Sequence, residues 1–186
     1  PTRRSSDLII PAHRDLDGLD DQLGNIDDAR DRYSRLDEFL NEYVDGYDVI
    51  LVDLPGSTSN VSYNGIWATK NVIAPVLPGS FEEDQAAELR RDLERIEANQ
   101  GISIELAMLV INGIDSQTKA GRHFQQEFGE EYPDAIAPAQ VCSSQDIRNA
   151  QLDGKTLFAL EDPSATAERA MEAYRTNAAE LMERLK

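Results

Sequence analysis

Hydrophobic positions along the chain follow two patterns. Short aliphatic runs bounded by Gly, Pro or Asp alternate with longer stretches in which apolar residues recur every three or four positions. The short runs are residues 8–11, 49–52, 71–76, 104–111 and 140–143, each of which reads as a strand. Val49-Ile50-Leu51-Val52 is closed by Pro55-Gly56, and three of its four residues are β-branched, the pattern of a strand buried on both faces of a parallel sheet. Residues 104–111 form a second run of this kind, ending on Asn112. The helical stretches fall between the runs. Over residues 29–43, Tyr33, Leu36, Phe39, Leu40 and Tyr43 share one face. Residues 57–69 turn Ile66 and Trp67 inward. Residues 82–97 carry Leu89, Leu93 and Ile96 at helical spacing, and Gly101 ends the helix. Residues 116–128 start at a capping Ser116. Residues 165–185 place Met171, Tyr174, Ala178, Leu181 and Leu185 on one side. Strict alternation of strands and helices predicts an α/β fold, a parallel β-sheet with helices on both faces. Without an internal repeat or a linker, residues 1–186 read as a single domain.

Charge adds a statement about solvent. The net charge is -17, from 35 acidic against 18 basic residues. Only Lys70, Lys119, Lys155 and Lys186 are lysines. Acid excess with few lysines suggests a halophilic protein, because concentrated salt screens the self-repulsion. It argues against non-specific binding of nucleic acid by this chain at low salt. Asp15 to Asp28 is crowded with aspartates and reads as an acidic loop or an irregular helix start. A lone cysteine, Cys142, excludes an internal disulfide and a cysteine-based zinc site. His13 and His123 lie far apart in sequence, without ligand spacing, and read as surface residues. With no apolar run of membrane-spanning length and no secretory signal, a soluble, cytoplasmic protein is expected.

Candidate chemistry sits at the ends of the two strongest strands. Asp53 stands where the chain leaves the sheet, the side on which open α/β sheets hold ligands. A carboxylate there can hold Mg²⁺ through its water shell, and Gly56 lets the backbone approach a terminal phosphate. The plainer reading is a turn with a capping Asp. Asn112 can offer donor and acceptor together to the edge of a purine base, or can merely cap a turn. A phosphate loop requires G-x-x-x-x-G-K-[ST] between a strand and a helix. The near match Asn149-Ala150-Gln151-Leu152-Asp153-Gly154-Lys155-Thr156 lacks the first Gly, sets Asp153 beside the phosphates and follows a helical stretch.

In order and spacing these stretches resemble the ParA/MinD (Soj) group of deviant Walker ATPases. Tyr47-Asp48-Val49-Ile50-Leu51-Val52-Asp53-Leu54-Pro55 looks like its "YD-hydrophobic-Asp-x-Pro" stretch. Asn71-Val72-Ile73-Ala74-Pro75-Val76-Leu77-Pro78-Gly79-Ser80-Phe81-Glu82 resembles its "ViiPv-x-P-x-x-F-e" segment. Leu8-Ile9-Ile10-Pro11-Ala12 is similar to the strand before its acidic loop, and Ala150-Gln151-Leu152-Asp153-Gly154-Lys155-Thr156 to its "EA-x-x-x-GKp" segment. The resemblance implies a P-loop NTPase-like three-layer sandwich, here lacking the Walker A element, so that the chain is expected to be either the later part of a longer product or a degenerate paralogue. It implies ATP and Mg²⁺ as cofactors. Asp53 would be the catalytic and metal-organising residue, Pro55 and Gly56 would sense the γ-phosphate through their backbone, and Asn112 would contact adenine. It further implies a nucleotide-sandwich dimer, a ParB-like adaptor that triggers hydrolysis, and non-specific DNA contacts by Arg148, Arg169 and Arg175. Members often carry Arg where Gly113 stands. Hydrolysis would need the lysines of the missing loop, so this chain alone is expected to be inactive. Two other readings stay open. One is a pseudo-ATPase serving as a dimerisation or adaptor module. The other is a GTPase, since Asp53-Leu54-Pro55-Gly56 fits D-x-x-G and Asn112-Gly113-Ile114-Asp115 fits N-K-x-D without its Lys.

Overall fold

A computed structural model of the chain describes residues 8–12, 16, 18–56, 59–78, 80–115 and 118–186. They fall into two compact units, the first running to Asn71 with Arg95–Ile104, the second comprising Val72–Glu94 and Glu105–Lys186.

The first unit is helical, with α1 Leu19–Gly24, α2 Ala29–Tyr33, α3 Arg35–Tyr43 and α4 Asn60–Thr69. Aspartates of the acidic stretch serve as helix caps. The Asp28 carboxylate accepts the amides of Arg30 (2.9 Å) and Asp31 (3.0 Å) at the start of α2. Asp20 reaches across from α1 to accept Val61 N–H at 3.2 Å, next to Ser59, which caps α4 through Ser62 N–H. The stretch 29–43, expected as one helix, is broken at Ser34, because the Asn64 carboxamide of α4 takes both backbone groups of the missing turn. The expected strands at residues 8–11 and 49–52 do not form. Neither stretch has regular structure, and Leu51 is 76% exposed. An apolar run becomes a strand only when its N–H and C=O groups find a ladder, and among the described residues neither stretch is paired.

The second unit carries the sheet: β1 Asn71–Val76, β2 Glu105–Ile114 and β3 Val141–Cys142, in the order β1-β2-β3 and parallel. The helices are α5 Ser80–Gln100, α6 Lys119–Glu131, α7 Gln145–Leu152 and α8 Ala165–Arg184, with a 3₁₀ turn at Leu157–Ala159. Beside β2, residues 135–137 add a short parallel bridge, in which Leu109 N–H donates to Ala135 and Ala137 N–H to Leu109 (both 2.8 Å). Leu109, Ile111 and Ile114 face one apolar cluster with Ala86 of α5 and the stacked rings of Phe124 and Phe128 of α6. Val110 faces the other, built on Val141, Leu157, Ala167, Ala170 and Ala173. The result is the expected α/β arrangement, a parallel sheet between two helical layers of P-loop NTPase-like kind.

Two helices differ from expectation in detail. The expected cap Ser116 lies outside the described residues; α6 starts at Lys119, and Thr118 is its cap, accepting Gly121 N–H at 3.0 Å. The buried side of α8 is the small-residue face Ala167, Ala170, Ala173 and Asn177, while Ala178 and Leu185 are exposed. Alanines bring α8 close to the strands, and Asn177 then bridges the Ala139 backbone, accepting its N–H (2.9 Å) and donating to its C=O (2.7 Å).

The start of α8 is tied to α7 through Asp146. Its carboxylate accepts the Ser164 hydroxyl and backbone N–H (2.9 Å for the latter), and these hydrogen bonds hold its pKa below the usual carboxylate value. A depressed folded-state pKa contributes stability that is present above the unfolded value and lost as pH falls through the folded one. In thermal denaturation, Asp146→Ala is therefore expected to melt below wild type at neutral pH, with the gap narrowing once pH drops below about 4. A gap independent of pH would deny the carboxylate this role.

Candidate nucleotide site

Asp53, Pro55 and Gly56 lie together on the irregular segment that follows α3, and all three are exposed. The residue between them fixes the segment. The Leu54 side chain packs directly on Gly65 of α4, where any Cβ would collide with it, so only glycine permits this approach. Asp53 is thus carried on a docked loop rather than on a buried strand, as the sequence pattern suggests. Among the described residues no group of three or more His, Cys, Asp or Glu could hold a metal. One open carboxylate would fit an outer-sphere contact to a hydrated Mg²⁺.

Asn112 belongs to the second unit. It does not end its strand, since β2 runs two residues further. Asn112 pairs in parallel register with Val141 and Ile114 with Cys142, with an irregularity between the two pairs. Gly113 sits there at φ +68°. The packing shows the same slip, because Ile114 faces the cluster of Leu109 and Ile111, which strict alternation would have given to residue 113. Gly113 is therefore a bulge residue, and any side chain would be strained at this backbone angle. The turn beyond the strand is closed by Thr118, whose N–H (3.1 Å) and hydroxyl (2.8 Å) donate to the Asp115 carbonyl. Among the described residues the Asn112 carboxamide takes no part in that closure. It is half-buried and has no hydrogen-bond partner among the described residues.

The glycine-lysine-threonine stretch has a different structure from a phosphate loop. Gly154, at φ +65°, ends α7: Lys155 N–H donates to Ala150 O (2.8 Å) and Gly154 N–H to Gln151 O (3.1 Å). This pair of bonds is a Schellman closure. Its surroundings are the negative end of a helix dipole, whereas phosphate binding uses the positive end.

The candidate DNA-contacting arginines are exposed, and two have local partners. Arg169 donates to Thr166 (3.1 Å), while Arg175 pairs with Glu172 (3.6 Å) and lies over the Phe158 ring (5.2 Å). His123 is exposed and faces Glu127 at 3.4 Å, whereas His13 lies outside the described residues. Sequence reasoning missed Leu77, the residue after β1, which lies against Gly113. The turn dipeptide Asn112-Gly113 straight after a buried run was the available signal that the strand end is shaped there.

Residues 2–107 match the family model described as an AAA domain. Among similar proteins, the chromosome-partitioning ATPase Soj of Treponema pallidum is 27% identical over 138 residues, which is 72% of this chain and 53% of that protein. The chromosome partitioning protein ParA of Caulobacter vibrioides is 26% identical, covering 72% and 51%. Soj of Thermus thermophilus is 27% identical over 181 residues, covering 95% and 66%. The chain spans about half the length of the first of these relatives. With more than half of its residues inside the AAA domain match, the chain belongs to the ParA/MinD family.

Proposed function

We propose that the chain, as one ParA-type domain over residues 1–186, supplies the acidic and base-reading part of a partitioning ATPase. The observation that carries this reading is the family match together with relatives named for chromosome partitioning, the two Soj proteins as ATPases. Asp53 would orient the water shell of Mg²⁺, the backbone of Pro55 and Gly56 would meet the terminal phosphate, and the carboxamide of Asn112 would read adenine. Bound Mg²⁺ supplies charge neutralisation at the phosphates. The protein works in the cytoplasm, at high salt, as an ATP-dependent dimer. A ParB-like adaptor stimulates it and DNA is its track. Among the described residues no helix is long and apolar enough to cross a membrane.

Calorimetric titration with MgATP in concentrated KCl tests the reading. This chain is expected to bind more weakly than about micromolar, because its sequence holds no complete G-x-x-x-x-G-K-[ST] motif. Asp53→Ala is expected to weaken MgATP by about tenfold and to leave metal-free ATP unchanged, as an outer-sphere contact worth about 1.4 kcal/mol requires. Equal affinities for MgATP in both proteins would reduce Asp53 to a loop residue. A second reading, an adaptor module without hydrolysis, is favoured by the closure at Gly154, which commits the Gly-Lys-Thr stretch to ending a helix. It predicts no MgATP binding at about millimolar concentration.

A further inference from the structure

Leu77 follows the last residue of β1, and Gly113 lies near the end of the neighbouring strand β2. A Cβ on Gly113 would stand 3.3 Å from Leu77 Cδ2, so the leucine lies over the bulge on the side where any other residue would carry its side chain. Leu77 is not a core residue. It is 54% exposed, while Ala74 and Val76 just before it are buried. Beside the bulge stands Asn112, half-buried, its carboxamide without a partner among the described residues. One place at the carboxyl ends of two parallel strands thus offers a branched aliphatic face and a donor–acceptor edge with no partner among the described residues. A flat heteroaromatic ring with a polar rim is complementary to both: its face covers the apolar group and its edge pairs with the amide.

We propose that Leu77 is the platform for the adenine face and that Gly113 is the positioning residue that seats it. This rests on the nucleotide reading above, with Asn112 at the base edge, and adds the residue that supplies the stacking surface. Leu77 loses its exposed area to the ring, and expelling water from both faces favours binding. Gly113 acts only through Leu77. Any side chain at φ +68° would be strained and would push the leucine aside, so glycine here keeps the ring-sized space open.

The test uses adenosine, which has no phosphates, so that the base site is read apart from any phosphate site. With the methyl groups labelled for nuclear magnetic resonance, adenosine is expected to move the Leu77 methyl signals upfield by ring current. Leu77→Ser is expected to weaken adenosine by about tenfold with an unchanged melting temperature, since the side chain is more than half exposed. Leu77→Phe, a larger flat surface, is expected to tighten it. Gly113→Ala is expected to weaken adenosine even with Leu77 intact. Unmoved Leu77 methyls at saturating adenosine, or wild-type affinity in Leu77→Ser, would overturn the platform while Asn112→Ala still reported on the nucleotide reading. Preference for guanosine over adenosine would overturn the adenine assignment. A wild-type chain that takes up neither adenosine nor MgATP would overturn the platform and the nucleotide reading together.

Discussion

Arg184→Ala is expected to destabilise the sheet-bearing unit by about 3 kcal/mol, since each hydrogen bond from a charged group contributes about 1.5 kcal/mol or more and several are lost together. The guanidinium closes the far end of α8 onto the strands. Its Nη1 donates to Ala107 O and Asp134 O, both at 2.9 Å, and reaches Ala135 O at 3.3 Å; Nη2 donates to Ile136 O at 3.2 Å. Glu180 on the same helix holds the Nε edge at 2.9 Å and fixes the fork. One side chain thus gathers carbonyls from β2 and from the bridge segment beside it. Truncation takes these donors away in a half-buried place, where Ala135 O keeps only the N–H of Leu109. Arg184→Lys keeps the charge but replaces a planar fork with one ammonium, so it is expected to recover only part of the loss. Urea denaturation followed by far-UV circular dichroism measures both. A midpoint for Arg184→Ala within error of wild type would show that solvent replaces the fork at no cost.

Periodicity made β1, β2, α5 and the place of α8 legible, because burial on one face or both leaves a trace in which residues are apolar. The same reasoning failed at Val49-Ile50-Leu51-Val52. An aliphatic run states a demand for burial and says nothing of which backbone will pair with it, and among the described residues that run has no partner strand. It also missed the details that hydrogen bonds decide. The bulge at Gly113 follows from a backbone angle, and the buried face of α8 was set by alanines too small to dominate a hydrophobic pattern. At the site, Asn112 was legible because a polar residue closing a buried run is unusual. That Thr118 closes the turn, and that the amide has no partner among the described residues, is decided by hydrogen bonds that leave no trace in the pattern. Asp53 was legible as chemistry; its seat, a loop docked through Leu54 on Gly65, was not, since that contact joins positions with no local pattern in common.

Asn64 carries the second large effect. In a continuous helix over residues 29–43, Leu36 N–H would donate to Arg32 C=O. Instead the Asn64 carboxamide stands between them: its oxygen accepts Leu36 N–H at 3.3 Å, and its nitrogen donates to Arg32 O and to Asn60 O, both at 2.9 Å. The side chain is 5% exposed, so water does not substitute for it. Asn64→Ala is expected to cost about 2 kcal/mol, the desolvation of the groups it leaves unpaired. Asn64→Asp is the sharper test. Its ionised carboxylate would still accept from Leu36 but would face two carbonyl oxygens with no proton to give, so it is expected to fall below the alanine variant at neutral pH. Burial and those carbonyls raise the aspartate's folded-state pKa, and such a group stabilises at low pH and loses that contribution as pH rises through the folded value. Asn64→Asp should therefore regain stability on acidification, when the protonated carboxyl again has a donor, while Asn64→Ala should show no matching gain. Trp67, one turn along the same helix and buried, reports the melting of this unit by fluorescence. If the two variants kept the same order and spacing at all pH values, the amide would not be bridging the helix break.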